Sequence, residues 1–122
     1  MKDPELELLV DELERRTDLT VADYDGVQHA LAYLLSDVMS GDGPTQDIST
    51  TDGAVLVVDQ AYPNWIVNIH GRANDKDGHW RCTLRENDAR DNDAAIGTGR
   101  SPVLAQAILA AILRLTAVLK KL

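Results

Sequence analysis

Apolar positions along the chain recur with the period of a helix, then of a strand, then of a helix again. Leu6, Leu9, Val10 and Leu13 fall at i, i+3, i+4 and i+7 behind Asp3-Pro4, an N-cap and a first-turn proline, so a helix is predicted over about 4–16. Val27, Ala30, Leu31, Leu34, Leu35 and Val38 form a second stripe, predicting a helix over about 25–39 that opens at Asp23-Tyr24-Asp25-Gly26. Gly41 to Asp47, with two glycines and a proline, reads as the joint between an N-terminal helical pair (1–40) and the rest of one domain. The run Ala54 to Val58 suits a buried strand or a helix. Ser49 as N-cap, Asp52 three residues on and the stop at Tyr62-Pro63 favour a helix over 50–61.

From Asn64 the period becomes two. Trp65, Val67 and Ile69 alternate with Ile66, Asn68 and His70, and Trp80, Cys82 and Leu84 alternate with Arg81, Thr83 and Arg85, predicting strands over Trp65–Gly71 and His79–Glu86. An antiparallel hairpin that matches their apolar faces pairs Val67 with Cys82, Ile69 with Trp80 and His70 with His79; a slip of two residues keeps the same faces. A short third strand is expected near Ala94–Gly97. Gly97-Thr98-Gly99-Arg100-Ser101 then reads as a glycine turn, delivering Ser101 as N-cap and Pro102 to the first turn of a helix over 101–119. That helix carries Val103, Leu104, Ala107, Ile108, Ala111, Ile112, Leu115 and Leu119 on a wide apolar face. The fold class is therefore α+β: a small antiparallel sheet sandwiched by amphipathic helices, with 48–119 as an α-β-β-α core.

The capped helix from Ser49 to Ala61, the Pro63-Asn64-Trp65 entry, the second tryptophan strand Trp80-Arg81-Cys82, the turn Gly97-Thr98-Gly99 and the alanine-rich Ser101 to Leu109 follow one another in a distinctive order. Over about residues 48–117 this pattern resembles the phage ABA sandwich domain family, small proteins of phages and prophages. The resemblance implies an α/β/α layer encoded among phage accessory genes, for which no activity or cofactor is established. It carries over no functional residue.

Composition narrows the function classes. Phe is absent and aromatics make up 4% of the 122 residues, so the core must be aliphatic. A single cysteine forms no internal disulfide, and no Cys/His spacing suits structural zinc, which predicts a cytoplasmic chain with no cofactor; that the cytoplasm is a bacterial host's is what the resemblance implies. The acidic N-terminus is unlike a signal peptide, and Gln106 and Arg114 interrupt the longest apolar helix, so no membrane association is expected. Net charge is −8, but residues 1–60 hold 14 acids against 3 bases, whereas residues 61–122 hold 6 acids against 9 bases. An acidic half argues against direct nucleic-acid binding and suits a basic protein partner.

No constellation names a reaction, so a non-enzymatic protein-binding role is expected; the resemblance implies a host or phage protein as partner. One version places acidic Glu5, Glu12 and Glu14 in the nucleic-acid channel of a host defence or nucleic-acid-handling complex. Arg81 and Arg85, with Asn68 and His70, share the hairpin face away from the core; either the first two helices cover them or they bind a partner. The alternative function is a nucleotide-like anion site at Gly97, Thr98, Gly99, Arg100 and Ser101, where free amides and the helix dipole favour negative charge. His70 and His79, if paired across the hairpin, could share a metal with Asp75 or Asp77 as a third ligand, but strand-end histidines beside a polar loop are usually solvated and no metal is expected. Cys82 shares the apolar face of Trp80 and Leu84 and reads as structural. The wide face of the last helix leaves a homodimer open.

Overall fold

The computed structural model describes residues 4–37, 46–71, 80–86 and 96–120. Helices α1 (Pro4–Arg15), α2 (Val21–Leu34) and α3 (Thr51–Ala61) precede strands β1 (Ile66–His70), β2 (Trp80–Arg85) and β3 (Ile96–Ser101), and helix α4 (Leu104–Leu119) ends the fold. The strands form one antiparallel sheet in the order β1-β2-β3. This is the expected α+β domain with helices on a small sheet.

Local chemistry explains most boundaries. Leu6, Val10 and Leu13 are the buried stripe of α1, whose solvent sides carry acids. Helix α2 begins earlier than expected because Thr20 and Asp23 form a reciprocal capping box: Thr20 Oγ1 accepts from the Asp23 amide and Asp23 accepts from the Thr20 amide. The N-cap of α3 is Thr50, not Ser49; Thr50 Oγ1 accepts from the Gly53 amide at 3.0 Å, while Ser49 donates back to Asp47. Between α3 and β1 the chain reverses through Asn64, whose φ of 72° is one of the few left-handed conformations a short polar side chain tolerates. The N-cap expected at Asp3 and residues 41–45 of the joint expected over Gly41 to Asp47 lie outside the described residues.

The hairpin adopts the slipped register. Val67 opposes Leu84, Ile69 opposes Cys82 and His70 opposes Arg81, a shift of two residues from the expected pairing that leaves every side chain on its expected face. A larger correction concerns the glycines. Gly97 to Ser101 is not a turn but the body of β3, paired through Gly97↔Leu84, Gly99↔Cys82 and Ser101↔Trp80. Its glycines lie on the inner face, where α4 rests directly on the strand. A Cβ on Gly97 would stand 2.5 Å from the Ala111 carbonyl oxygen, and one on Gly99 would stand 2.6 Å from the Ala111 amide nitrogen. Glycines opposite Ala107, Ala110 and Ala111 therefore let helix and strand backbones approach, a tertiary use of residues whose local preference is for turns. Ser101, completely buried, ends the strand and accepts from the Val103 amide, and α4 starts at Leu104 without a side-chain cap.

Helix α4 is the centre of the molecule. From Ala105 to Leu113 every residue is buried, as expected of a segment that is apolar on all sides rather than on one stripe. The helix packs on β3 and β2, and α1 and α3 pack in turn on α4. Val27, Leu31 and Leu34 of α2 join the same core. Gln106 is the buried polar residue that ties these layers together. Its Nε2 donates to the carbonyls of Leu13 at 2.8 Å and Arg16 at 2.6 Å, and its Oε1 accepts from Tyr24 at 3.0 Å. It thereby fastens the C-terminus of α1 and the start of α2 to α4. At the other end of the core Tyr62 donates to Thr116 Oγ1 at 2.6 Å, whose own proton goes to the Ile112 carbonyl.

Gly26 is exposed in the middle of α2, and a Cβ there meets nothing within 4 Å. Gly26→Ala is expected to stabilise the protein by about 1 kcal/mol, because alanine loses less backbone entropy in a helix. Urea unfolding should show a higher midpoint at unchanged slope; an unchanged or lower midpoint would contradict the helical assignment at this residue.

Candidate binding surface

With α4 on the inner face, the outer face of the sheet presents the residues of opposite parity. The two registers set them in three rows across the strands: Ile66, Arg85 and Ile96; Asn68, Thr83 and Thr98; His70, Arg81 and Arg100. Among the described residues α1 meets the sheet at the β3 edge, near Ile96 and Thr98, and neither α1 nor α2 packs on β1 or β2, so of the two alternatives for Arg81 and Arg85 the one in which the first two helices cover them is not met. The reason is composition: Ile66 and Ile96 are the face's apolar residues, too few to hold a helix, whereas the apolar stripe of α1 finds α4.

Arg81 and Arg100 are exposed and sit directly opposite each other on neighbouring strands, with His70 abreast on the third. Like charges in directly opposed positions destabilise a sheet, and neither guanidinium meets a carboxylate among the described residues. Arg85 is half-buried and already has a partner. Arg100, expected as part of an anion loop, thus belongs to the arginine face that parity assigns to Arg81, Arg85, Asn68 and His70.

The other expected site residues are placed differently. Glu14 is turned inward on the fold: both its oxygens bind Arg114, at 2.5 and 2.6 Å, and Oε2 also accepts from the Arg100 amide at 3.0 Å. Arg114 in turn donates to the Thr98 carbonyl at 2.9 Å. The pair therefore occupies the free backbone edge of β3, where Glu14 serves as a structural clip. Glu12 lies 3.9 Å from Arg16, Asp11 pairs with Arg15, and Glu5 is exposed but engaged within the fold. The Arg16 guanidinium beside Asp18 holds that carboxyl below its ordinary value, and the Thr20 amide does the same for Asp23. Several carboxylates of the first helices are thus engaged within the fold, while the segment as a whole remains acidic.

At Gly97 to Ser101 the geometry on which an anion site was expected is missing. Gly97, Gly99 and Ser101 are buried strand residues against α4, and the first turn of α4 lies beyond them. Cys82 is fully buried on the inner face of β2, and burial pushes its thiol up to about 11, which leaves negligible thiolate at neutral pH. Among the described residues no group of three His, Cys, Asp or Glu side chains is placed to hold a metal; His79, Asp75 and Asp77 lie outside them. A groove of about 540 Å³ runs between α1, α4 and the β3 edge, with Leu6, Val10, Ile96, Leu113 and Val118 as walls and Arg114 at its side. Also among the described residues, no helix is long and apolar enough to cross a membrane.

Gln106 and Arg114 are the residues whose importance the sequence conceals. Their signal is visible, since they are the polar interruptions of an otherwise apolar helix interior, but it marks internal fastening rather than a surface. No protein-family model matches the chain, and no curated protein or solved structure is significantly similar to it.

Proposed function

We propose that the protein acts by binding another protein, and that the open sheet face, centred on Arg81 and Arg100, receives an acidic segment of that partner. The observation that carries this reading is the opposed Arg81–Arg100 pair, a destabilising arrangement on the exterior of a chain of net charge −8. An acidic segment along the row would neutralise both guanidinium groups and accept their hydrogen bonds, each able to form a bidentate pair with a carboxylate. Segregating positive charge on the sheet from the acidic α1 also orients an approaching partner. The resemblance to small phage proteins supports a host or phage protein as the partner and an accessory role in infection. The acidic helix is the weaker surface for this purpose, because Glu14 and Glu12 are already engaged within the fold.

The test uses polyglutamate as an acidic polypeptide and a single-stranded oligonucleotide as a competing polyanion, each followed by fluorescence anisotropy. Polyglutamate is expected to bind at low ionic strength and to weaken steeply with salt. The double variant Arg81→Glu/Arg100→Glu should lose that binding, whereas Glu5→Lys/Glu12→Lys should retain it. Absence of binding, or tighter binding to the oligonucleotide, would overturn the reading. As a stability signature of the same row, Arg100→Thr should unfold at a urea midpoint no lower than the parent at low salt, since it relieves the repulsion; a marked loss would mean that Arg100 serves the fold.

A further inference from the structure

The two edges of the sheet are treated differently. On β3 the carbonyl of Thr98 and the amide of Arg100 point outward and are taken by Arg114 and Glu14. In an antiparallel ladder the outward and inward backbone groups alternate, so Gly97, Gly99 and Ser101 bond to β2. It follows that Arg81, Thr83 and Arg85 bond to Ile66, Asn68 and His70, and that the amides and carbonyls of Val67 and Ile69 point away from the sheet. No side chain among the described residues closes this second edge with a hydrogen bond of the kind that Glu14 and Arg114 supply. The strand also lacks the usual protection of an edge: Ile66-Val67-Asn68-Ile69 has no charged residue and no proline, and α4 lies over β3 and β2 rather than over β1. Ile69, on the apolar inner face, remains 39% exposed.

We infer that β1 pairs antiparallel with β1 of a second copy of this chain about a two-fold axis at Asn68, joining the two sheets into one. The segment is self-complementary in that arrangement. Val67 stands opposite the partner's Ile69, and Ile69 opposite the partner's Val67, so each pair exchanges its outward amide bonds while its side chains meet on the inner face. On the outer face Asn68 meets the partner's Asn68, and Ile66 lies beside the partner's His70. No carboxylate or guanidinium is brought against its own kind along the strand. Because the Glu14–Arg114 clip closes β3, among the described residues β1 supplies the one edge open to pairing, and the assembly closes as an isologous dimer instead of growing into a fibre.

Sedimentation across micromolar to millimolar chain concentrations is expected to give twice the 13.4 kDa chain mass, with dissociation on dilution. Ile69→Lys places a charge in the pairing and should sediment as a monomer with an unchanged far-ultraviolet dichroism spectrum. An independent reading comes from Asn68→Cys. At the two-fold axis the paired positions are of the non-hydrogen-bonded kind, with Cα atoms about 4.5 Å apart, within the range a disulfide spans. Mild oxidation should cross-link Asn68→Cys at least about tenfold faster than Thr83→Cys, which shares the outer face one strand inward, because only the former is held beside its counterpart. This comparison decides the matter even if Ile69→Lys fails to fold. A wild-type monomer at every concentration, or equal cross-linking of the two cysteine variants, would overturn the inference.

Discussion

Gly99→Ala is expected to destabilise the protein by about 3 kcal/mol, the upper end of the cost of inserting one methyl group into a packed interior. The size of the effect follows from what the new Cβ would meet. Its neighbours are the Ala107 carbonyl oxygen and, at 2.6 Å, the Ala111 amide nitrogen, both backbone atoms of the central helix. A flexible side chain rotates away from such a contact, whereas here α4 must move off the sheet and loosen the packing of β3 and β2 with it. Urea unfolding should show the loss, and a melting temperature lower by roughly 10 °C is the corresponding thermal change for a domain of this size. Adding Ala110→Gly should not rescue the variant, because the clash is with the helix backbone and not with the Ala110 methyl. A cost below about 1 kcal/mol, or full rescue, would show that helix and strand are not in direct backbone contact.

Gln106→Leu should cost a similar amount, about 3 kcal/mol, for a different reason. Leucine preserves much of the volume but leaves the buried carbonyl of Leu13 and the half-buried Arg16 carbonyl and Tyr24 hydroxyl without the partner that satisfies them, at about 1 kcal/mol for each bond lost, more for the buried one. Tyr24→Phe removes one of these bonds and is expected to cost about 1 kcal/mol. The double variant should fall short of the sum, since both changes delete the same Tyr24–Gln106 bond. Hydrogen exchange gives the local signature: amides at the C-terminal turn of α1 should exchange faster in Gln106→Leu than those of α3, which Gln106 does not touch. Equal costs for Gln106→Leu and Tyr24→Phe would remove Gln106 from its place as the core's fastening.

The roles of Gly99 and Gln106 are hidden in the sequence for the same reason. Gly97-Thr98-Gly99 ahead of a helix has the local chemistry of a turn, and nothing within the segment reveals that Ala107, Ala110 and Ala111 of the following helix require glycine opposite them. Gln106 reads as an interruption of an apolar helix until the ends of α1 and α2 are brought to it. Where the determinants are local, legibility is high: the stripes of α1, α2 and α4 and the alternation in both tryptophan strands identify elements and faces. The start of α2 is also local, written in Thr20 and Asp23, although the later Asp23 to Gly26 cluster draws the expected boundary away from it. Register stands between these cases, because a period of two specifies the face of a strand but not which of its alternate partners it meets.

The candidate surface divides in the same way. Parity along the two strands is enough to put Asn68, His70, Arg81 and Arg85 on one face. That the face is open, that Arg100 extends it, and that Glu14 is withdrawn from the acidic surface are matters of packing. Glu14 meets a partner 100 residues away, and neither its spacing along α1 nor its charge distinguishes it from Glu12.

What the sequence by itself determined is the set of elements, their apolar faces, the aliphatic core and the opposition of charge between the two halves, since each depends on residues within a few positions of one another. Tertiary structure alone decided that α4 is the centre rather than a flank, that two glycines are strand residues, that Glu14 and Arg114 close the β3 edge, and that the arginine row lies on the face opposite α4. Those outcomes depend on which distant surfaces exclude water together and which backbone groups then need partners, and the chain's local pattern carries no record of either.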